Sequence, residues 1–267
     1  MSTVADIAVW LEAVAPLALS EPWDNTGLLL GDPQSEVRRL QTCLTLTPAS
    51  VSEAIARRAN MVVAHHPLPF KPLAQLTTQT LSGRLLWQLA GAGVSVYCPH
   101  TAWDSAPRGI NALLAEKLSL AECRPLCPTD GPLGPQLGAG RVGELPQPRE
   151  LESLASELRG LLPDSRPRGV DCGRLISRVA IACGSGGSLL SAAVEQDCDL
   201  FLTGEASFHS CLEAQAEQVS LLLLGHFASE RFAMEFLAEQ LQRELPQIEV
   251  WASERESDPV RSFTSLT

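Results

Sequence analysis

The chain has 267 residues, 45% of them apolar and 19% charged. That is enough for one large domain or two modest ones with a sizeable core, and it excludes a disordered tail protein. A net charge of −11 and a pI of about 4.9 weigh against general binding to phosphate backbones.

At the N-terminus there is no basic n-region, and Asp6 and Glu12 interrupt any signal-like apolar stretch. No apolar run approaches the ~20 residues that span a bilayer, so a cytoplasmic protein with no membrane association is expected. Residues 3–17 instead have the apolar spacing of an amphipathic helix. The stretch 40–48 alternates like a strand, and 49–59 reads as a helix with Ser50 or Ser52 as its cap. MVVAHH (61–66) is a short buried strand, 82–93 a helix stopped by glycines, and VSVYCPH (94–100) the next strand. Residues 107–120 read as a helix with Pro107 near its first turn.

Residues 123–149 are crowded with Pro and Gly and read as a connector, with one strand around GRVGEL (140–145). A helix follows over 148–162 and a loop over 166–173. Strands then recur at 177–184, 198–205, 219–226 and 248–253, alternating with helices at 187–196, 208–218 and 228–245. The expected class is α/β, with sheets flanked by helices. Its two halves are 1–122 and 176–267, around a Pro/Gly-rich connector at 123–175. The eight cysteines are scattered without a CxxC pair, which suits buried thiols in a reducing compartment.

The five histidines and several carboxylates fall at strand ends, where open α/β sheets gather their ligands. His65 and His66 end one strand. His100 ends the next, with Asp104 four residues on. His226 ends a third, followed four residues later by Glu230, and the pair can face one point. Glu205 ends a fourth strand, and His209 opens the helix after it.

Neutral imidazole and carboxylate suit Zn, Fe, Mn, Ni or Co, and a set without cysteine favours a hydrolytic two-metal site over a structural zinc. Neighbours on an ideal strand point to opposite faces. His65 and His66 therefore share one site only where the strand breaks before Pro67; otherwise they serve two neighbouring ions. Asp104 is expected in a loop, free to bridge two ions. Glu205 or His209 could carry protons, and His100 could orient a ligand or relay a proton.

Two further stretches have simpler readings. EPWDNTGLLLG (21–31) reads as a turn in which Trp23 packs and Asp24 and Asn25 bond to nearby backbone; the alternative places Asp24 and Asn25 near the substrate. CGSGGS (183–188) reads as a tight turn between strand and helix. It lacks the lysine of a P-loop, but for a nucleotide it is the first candidate to hold phosphate.

SEPWDNTGLLLGDP (20–33), VVAHHPLPF (62–70), YCPHTAWDSAPRGIN (97–111), TGEASFH (203–209) and LLGHFASER (223–231) resemble, in order, the signature blocks of the NIF-three-like family. Its members are also called GTP cyclohydrolase I type 2 homologues. The resemblance spans about residues 30–245. It implies two intertwined α/β halves with a dinuclear metal site between them, and a ring-shaped homohexamer. It also implies His65 and His66 as ligands from HHP, Asp104 as the bridging carboxylate from PHTxxD, and His226 and Glu230 from GHxxxE.

The chain departs from the family pattern twice. Trp103 is bulkier than the usual residue before the Asp, and Ser210 replaces the second His of GExxHH, leaving His209 alone. The expected cofactors are two divalent metal ions. The expected function is hydrolysis of a small nucleotide-like substrate, with GTP-like ring opening. The alternative is a non-catalytic metal-binding or metal-delivery protein, or a ring scaffold. Nucleic acid is not an expected partner.

Overall fold

The computed structural model describes residues 2–129 and 134–261; residues 130–133 of the expected connector lie outside them. Two mixed sheets dominate. The first has five strands in the order Glu249–Ala252, Arg39–Cys43, Met61–Ala64, Ser95–Cys98, Gly27–Leu30; the first four are parallel and the last runs antiparallel. The second has six, in the order Arg168–Val170, Ser220–Leu223, Leu200–Thr203, Ile176–Ala182, Arg141–Arg149, Ala121–Arg124, with a parallel centre and antiparallel edges.

The parallel centres read as continuous apolar runs because both faces are covered. Along Met61–Ala64 the side chains alternate. Met61 and Val63 pack with Ile7 and Leu11 of helix Val4–Val14 and with Met234 and Leu237 of helix Phe232–Glu244. Val62 and Ala64 pack on the other face with Val51 of helix Pro48–Ala56 and Leu85 and Leu89 of helix Leu81–Gly91. The second sheet is sandwiched likewise, by helix Leu151–Leu161 through Leu154 and Leu158, and by Leu190, Ala193 and Ala214 on the opposite face.

Several local expectations need correction. Thr47 caps helix Pro48–Ala56 rather than Ser50 or Ser52, with Ser50 closing a capping box at the third position. Asp104 lies in a short helix, His100–Ser105, and not in a loop. The 123–175 segment contributes to the second sheet: strand Arg141–Arg149 accommodates Pro146 and Pro148 where its register shifts between Glu144 and Arg149, and Arg168–Val170 forms one edge. The chain then returns to the first sheet, because Glu249–Ala252 pairs with Arg39–Cys43. The two sheets are thus interleaved along the chain.

Polar cross-ties fix one sheet against the other. Asn111 donates to the Asp104 carbonyl (3.0 Å) and accepts from the Cys183 amide (2.7 Å) at the end of strand Ile176–Ala182. The buried Arg141 guanidinium donates to the carbonyls of Ser105 and Ala106, closing the helix that carries Asp104. Glu256 accepts from the Leu44 and Thr45 amides and pairs with Arg231 at 3.1 Å. Among the described residues no helix is long and apolar enough to cross a membrane.

Candidate metal centre

Each strand end delivers side chains to the gap between the sheets. Met61–Ala64 stops one residue before His65, so the two imidazoles leave the chain where strand alternation no longer holds. Their ring centroids are 5.0 Å apart. Gly225, at φ +93°, turns the chain after strand Ser220–Leu223 and starts helix His226–Glu230. That helix aims His226 and Glu230 at one point.

The five residues expected as ligands come together. Glu230 Oε2 is 3.1 Å from His66 Nε2 and 3.1 Å from His226 Nε2, and these two nitrogens are 3.2 Å apart. His65 Nε2 is 3.7 Å from Asp104 Oδ1 and 3.9 Å from Glu230 Oε1. Atoms bound to one ion at ~2.1 Å lie about 3–4 Å from each other, which matches this spacing. His66, His226 and Glu230 form one group able to hold an ion, and His65, His66 and His100 form another. His100 was not among the expected ligands.

The residues fit metal ions on a further ground. Both ring nitrogens of His65, Asp104 Oδ1 and Glu230 Oε2 are buried without a hydrogen-bond partner. The 3.1 Å approaches to Glu230 are therefore contacts without hydrogen-bond alignment. Unsatisfied polar atoms cost roughly 1–3 kcal/mol each, and three of these, His65 Nε2, Asp104 Oδ1 and Glu230 Oε2, belong to the side chains that converge, where a cation would satisfy them.

The electrostatics agree. Burial holds the His65 imidazole well below its ordinary range, which keeps it neutral and able to donate a lone pair. Burial, reinforced by the Glu230 and Asp24 charges, pushes the Asp104 carboxyl up. Burial also tends to raise Glu230, but His226 and His66 outweigh it and the net direction is downward. His226 is raised to about 9, mainly by Glu230 against the opposing effect of burial. Without an ion, an imidazolium at His226 supplies the positive charge that the pocket lacks.

Outer partners set the ring orientations. Glu205 Oε1 lies 2.9 Å from His226 Nδ1, Thr45 Oγ1 lies 2.7 Å from His66 Nδ1, and Asp24 Oδ1 lies 2.7 Å from His100 Nδ1. With Nδ1 of each ring bonded to these oxygens, Nε2 is the atom left for an ion; without one, the His226 imidazolium can donate from Nε2 to His66 Nε2 at 3.2 Å. Glu205 also accepts from Ser185 at 2.6 Å, and these two bonds hold its carboxyl below the usual range.

His209 is not brought to the cluster. It is exposed in helix Phe208–Ala216 with its ring against Phe208, so the proton-carrying role expected for it has no geometry behind it. Ser210 bonds Ser207 at 2.9 Å, at the start of that helix. Trp103 is buried with its ring edge-on to His65 at 6.1 Å, so it shapes the wall of the pocket.

Sequence reasoning undervalued the EPWDN segment. Asp24 does bond the Asn25 amide locally, but its side chain is 0% exposed and also accepts from His100 and from the amide and hydroxyl of Thr101. His100 sits at φ +30°, a strained conformation for a non-glycine residue, held by that network. Trp23 is 59% exposed rather than packed. The CGSGGS loop serves close approach: a Cβ on Gly184 (φ +62°) would lie 2.0 Å from Glu230 Oε1. The helix after it, Leu190–Glu195, has only six residues.

Comparison with known proteins adds to this geometry. A family model described as Duf34/NIF3 (NGG1p interacting factor 3) matches residues 2–259. The chain is 34% identical to NIF3-like protein 1 of Drosophila melanogaster, over 98% of this chain and 90% of that one. It is 29% identical to a GTP cyclohydrolase 1 type 2 homolog of Clostridium perfringens, over 95% and 97% respectively. A crystal structure of a hypothetical protein from Staphylococcus aureus superposes with a TM-score of 0.89 at 27% identity, covering 98% of this chain and 99% of that one.

Proposed function

We propose that this chain, which belongs to the Duf34/NIF3 family, is a metal-dependent hydrolase that holds two divalent ions and acts on a small nucleotide-like molecule. The observation that carries the proposal is the convergence of His65, His66, Asp104, His226 and Glu230, with four of their buried polar atoms unsatisfied. His65, Asp104 and Glu230 would hold one ion, and His66, His226 and Glu230 the other; Glu230, with one oxygen near His65 and the other near His66 and His226, would then be the shared carboxylate in place of the expected Asp104. Such ions supply Lewis acidity and make water a usable nucleophile at neutral pH.

The chain's own residues prepare that chemistry. Glu205 is a positioning residue: it accepts from the Nδ1–H of His226 and so fixes the ring with Nε2 turned to the pocket, where a bound ion would take the place of the Nε2 proton. Its lowered pKa makes it a poor proton donor and a fixed acceptor. Asp24 does the same for His100. The substrate class is supported by the relatives named GTP cyclohydrolase 1 type 2 homolog. The homohexamer is supported by likeness to the family and by exposed Phe208 and Leu212, four apart on one helix, which a second copy would cover; light scattering tests it.

The test of function is turnover of GTP and a panel of phosphoesters by metal-loaded protein. A metal-dependent rate that vanishes in a His65→Ala/His66→Ala variant supports the proposal. No rate above that variant, with ready release of metal to an apo-acceptor, would favour a metal-delivery protein instead.

A further inference from the structure

Two large aromatic side chains stand exposed at the entrance to the candidate metal centre. Trp23 is 59% exposed and Phe70 is 50% exposed, with ring centroids 5.8 Å apart and planes inclined by 43°. They come from separate loops, 20–26 and 66–80, which are tied together: Asn25 Nδ2 donates to the Pro69 carbonyl at 2.7 Å. Both loops are also anchored inward. The 20–26 loop is held through Asp24, by the bonds from His100 and Thr101, and through the Glu21 amide, which donates to Thr101 Oγ1 at 3.0 Å. The 66–80 loop begins at His66 itself.

The aromatic pair leads directly into the site. Trp23 lies edge-on to His100 at 6.1 Å, and the His100 ring is 5.2 Å from that of His65 and 5.7 Å from that of His66. A molecule lying on the Trp23–Phe70 pair is therefore one imidazole away from the candidate ligands. Leaving two rings in water forgoes the stabilisation that burial would give them, and here the loops that carry them are held in place by polar bonds. That arrangement is expected of a preformed stacking platform.

We propose that Trp23 and Phe70 bind the planar heteroaromatic ring of the substrate, a nucleobase or a ring of similar size, by stacking. This rests on the nucleotide-like substrate proposed above and assigns the part of it that is recognised here. Stacking tolerates any base because each has a π-face, so the platform fixes the ring's position and leaves its identity to other contacts. It also gives the EPWDN segment one coherent role, in which Asp24 orients His100, Asn25 holds the facing loop, and Trp23 receives the ring.

The test is titration of guanosine into manganese-loaded, full-length protein by calorimetry, with metal content measured for every variant. Guanosine has no phosphates, so it reports the ring and sugar rather than phosphate on metal. Trp23→Ala and Phe70→Ala are expected to weaken binding about ten-fold or more at unchanged metal content. Trp23→Phe should stay within about three-fold of the wild type, because it keeps a π-face. Trp87→Ala, a change at another exposed tryptophan away from the site, should bind as the wild type does.

Binding that is unaltered in Trp23→Ala and Phe70→Ala overturns the platform, as does absence of guanosine binding to the metal-loaded wild type. Turnover of GTP, measured separately on the same samples, distinguishes the two readings. Ring-dependent binding without turnover would sink the hydrolase and leave the platform standing. Turnover with a KM for GTP unmoved by Trp23→Ala would do the reverse.

Discussion

Gly184→Ala places a single methyl group against the candidate metal centre. The new Cβ would lie 2.0 Å from Glu230 Oε1, 3.0 Å from Glu230 Cδ and 3.3 Å from His226 Nε2. The backbone there cannot easily retreat, because the Gly184 amide donates to Ser229 Oγ at 2.9 Å and its carbonyl accepts from the Glu205 amide at 2.9 Å. The carboxylate must therefore move by more than about 1 Å to reach ordinary contact, among imidazoles that already crowd it. Alanine at φ +62° adds a strain of about 1–2 kcal/mol. The expected result is a destabilisation of that size in urea unfolding of metal-free protein, together with loss of at least one bound ion per chain by elemental analysis. A variant that unfolds as expected yet retains the wild-type metal content and affinity would refute Glu230 as a shared ligand.

The same pocket sets the response to three other substitutions. Glu230→Gln removes the carboxylate that His226 and His66 hold ionised in the metal-free pocket, so it should destabilise apo protein by on the order of 1 kcal/mol while abolishing the rise in Tm on adding metal; differential scanning fluorimetry with and without metal reads both. Asp24 is lowered to about 2, because hydrogen bonds from His100 and Thr101 outweigh the raising effect of burial. Its contribution to stability is therefore present in full above pH ~4 and lost as pH falls through about 2, amounting to about 1 kcal/mol once discounted for solvent screening. Asp24→Asn should remove that dependence in urea titrations between those pH values. Asn111→Ala should loosen Asp104 from strand Ile176–Ala182 and weaken metal binding about ten-fold or more without touching a ligand, which competition with a chelating dye would show.

The pattern of strand, histidine and helix made most of the centre readable from sequence. The rings and carboxylates that converge there sit just beyond a strand end or one helical turn farther on, and local periodicity locates those ends. What local pattern could not carry was pairing at long range. Nothing near Glu249 tells that its strand joins Arg39–Cys43 in the first sheet. Asp24 and His100 are 76 residues apart, so a turn-like motif concealed a buried tie to the site. The strand expected around 140–145 runs on to Arg149 through Pro146 and Pro148, an extension the prolines obscured and a register shift lets the sheet accept. His209 followed from a motif, but its helix turns it to solvent, and only the packing of that helix reveals this.

The most direct measurement is the number and position of ions in untagged protein, by elemental analysis followed by anomalous scattering from crystals. Two divalent ions per chain are expected, with Glu230 coordinating both, His65 and Asp104 on one and His66 and His226 on the other. Fewer than one ion per chain, or ions lying away from the tandem histidines, would contradict a shared dinuclear centre.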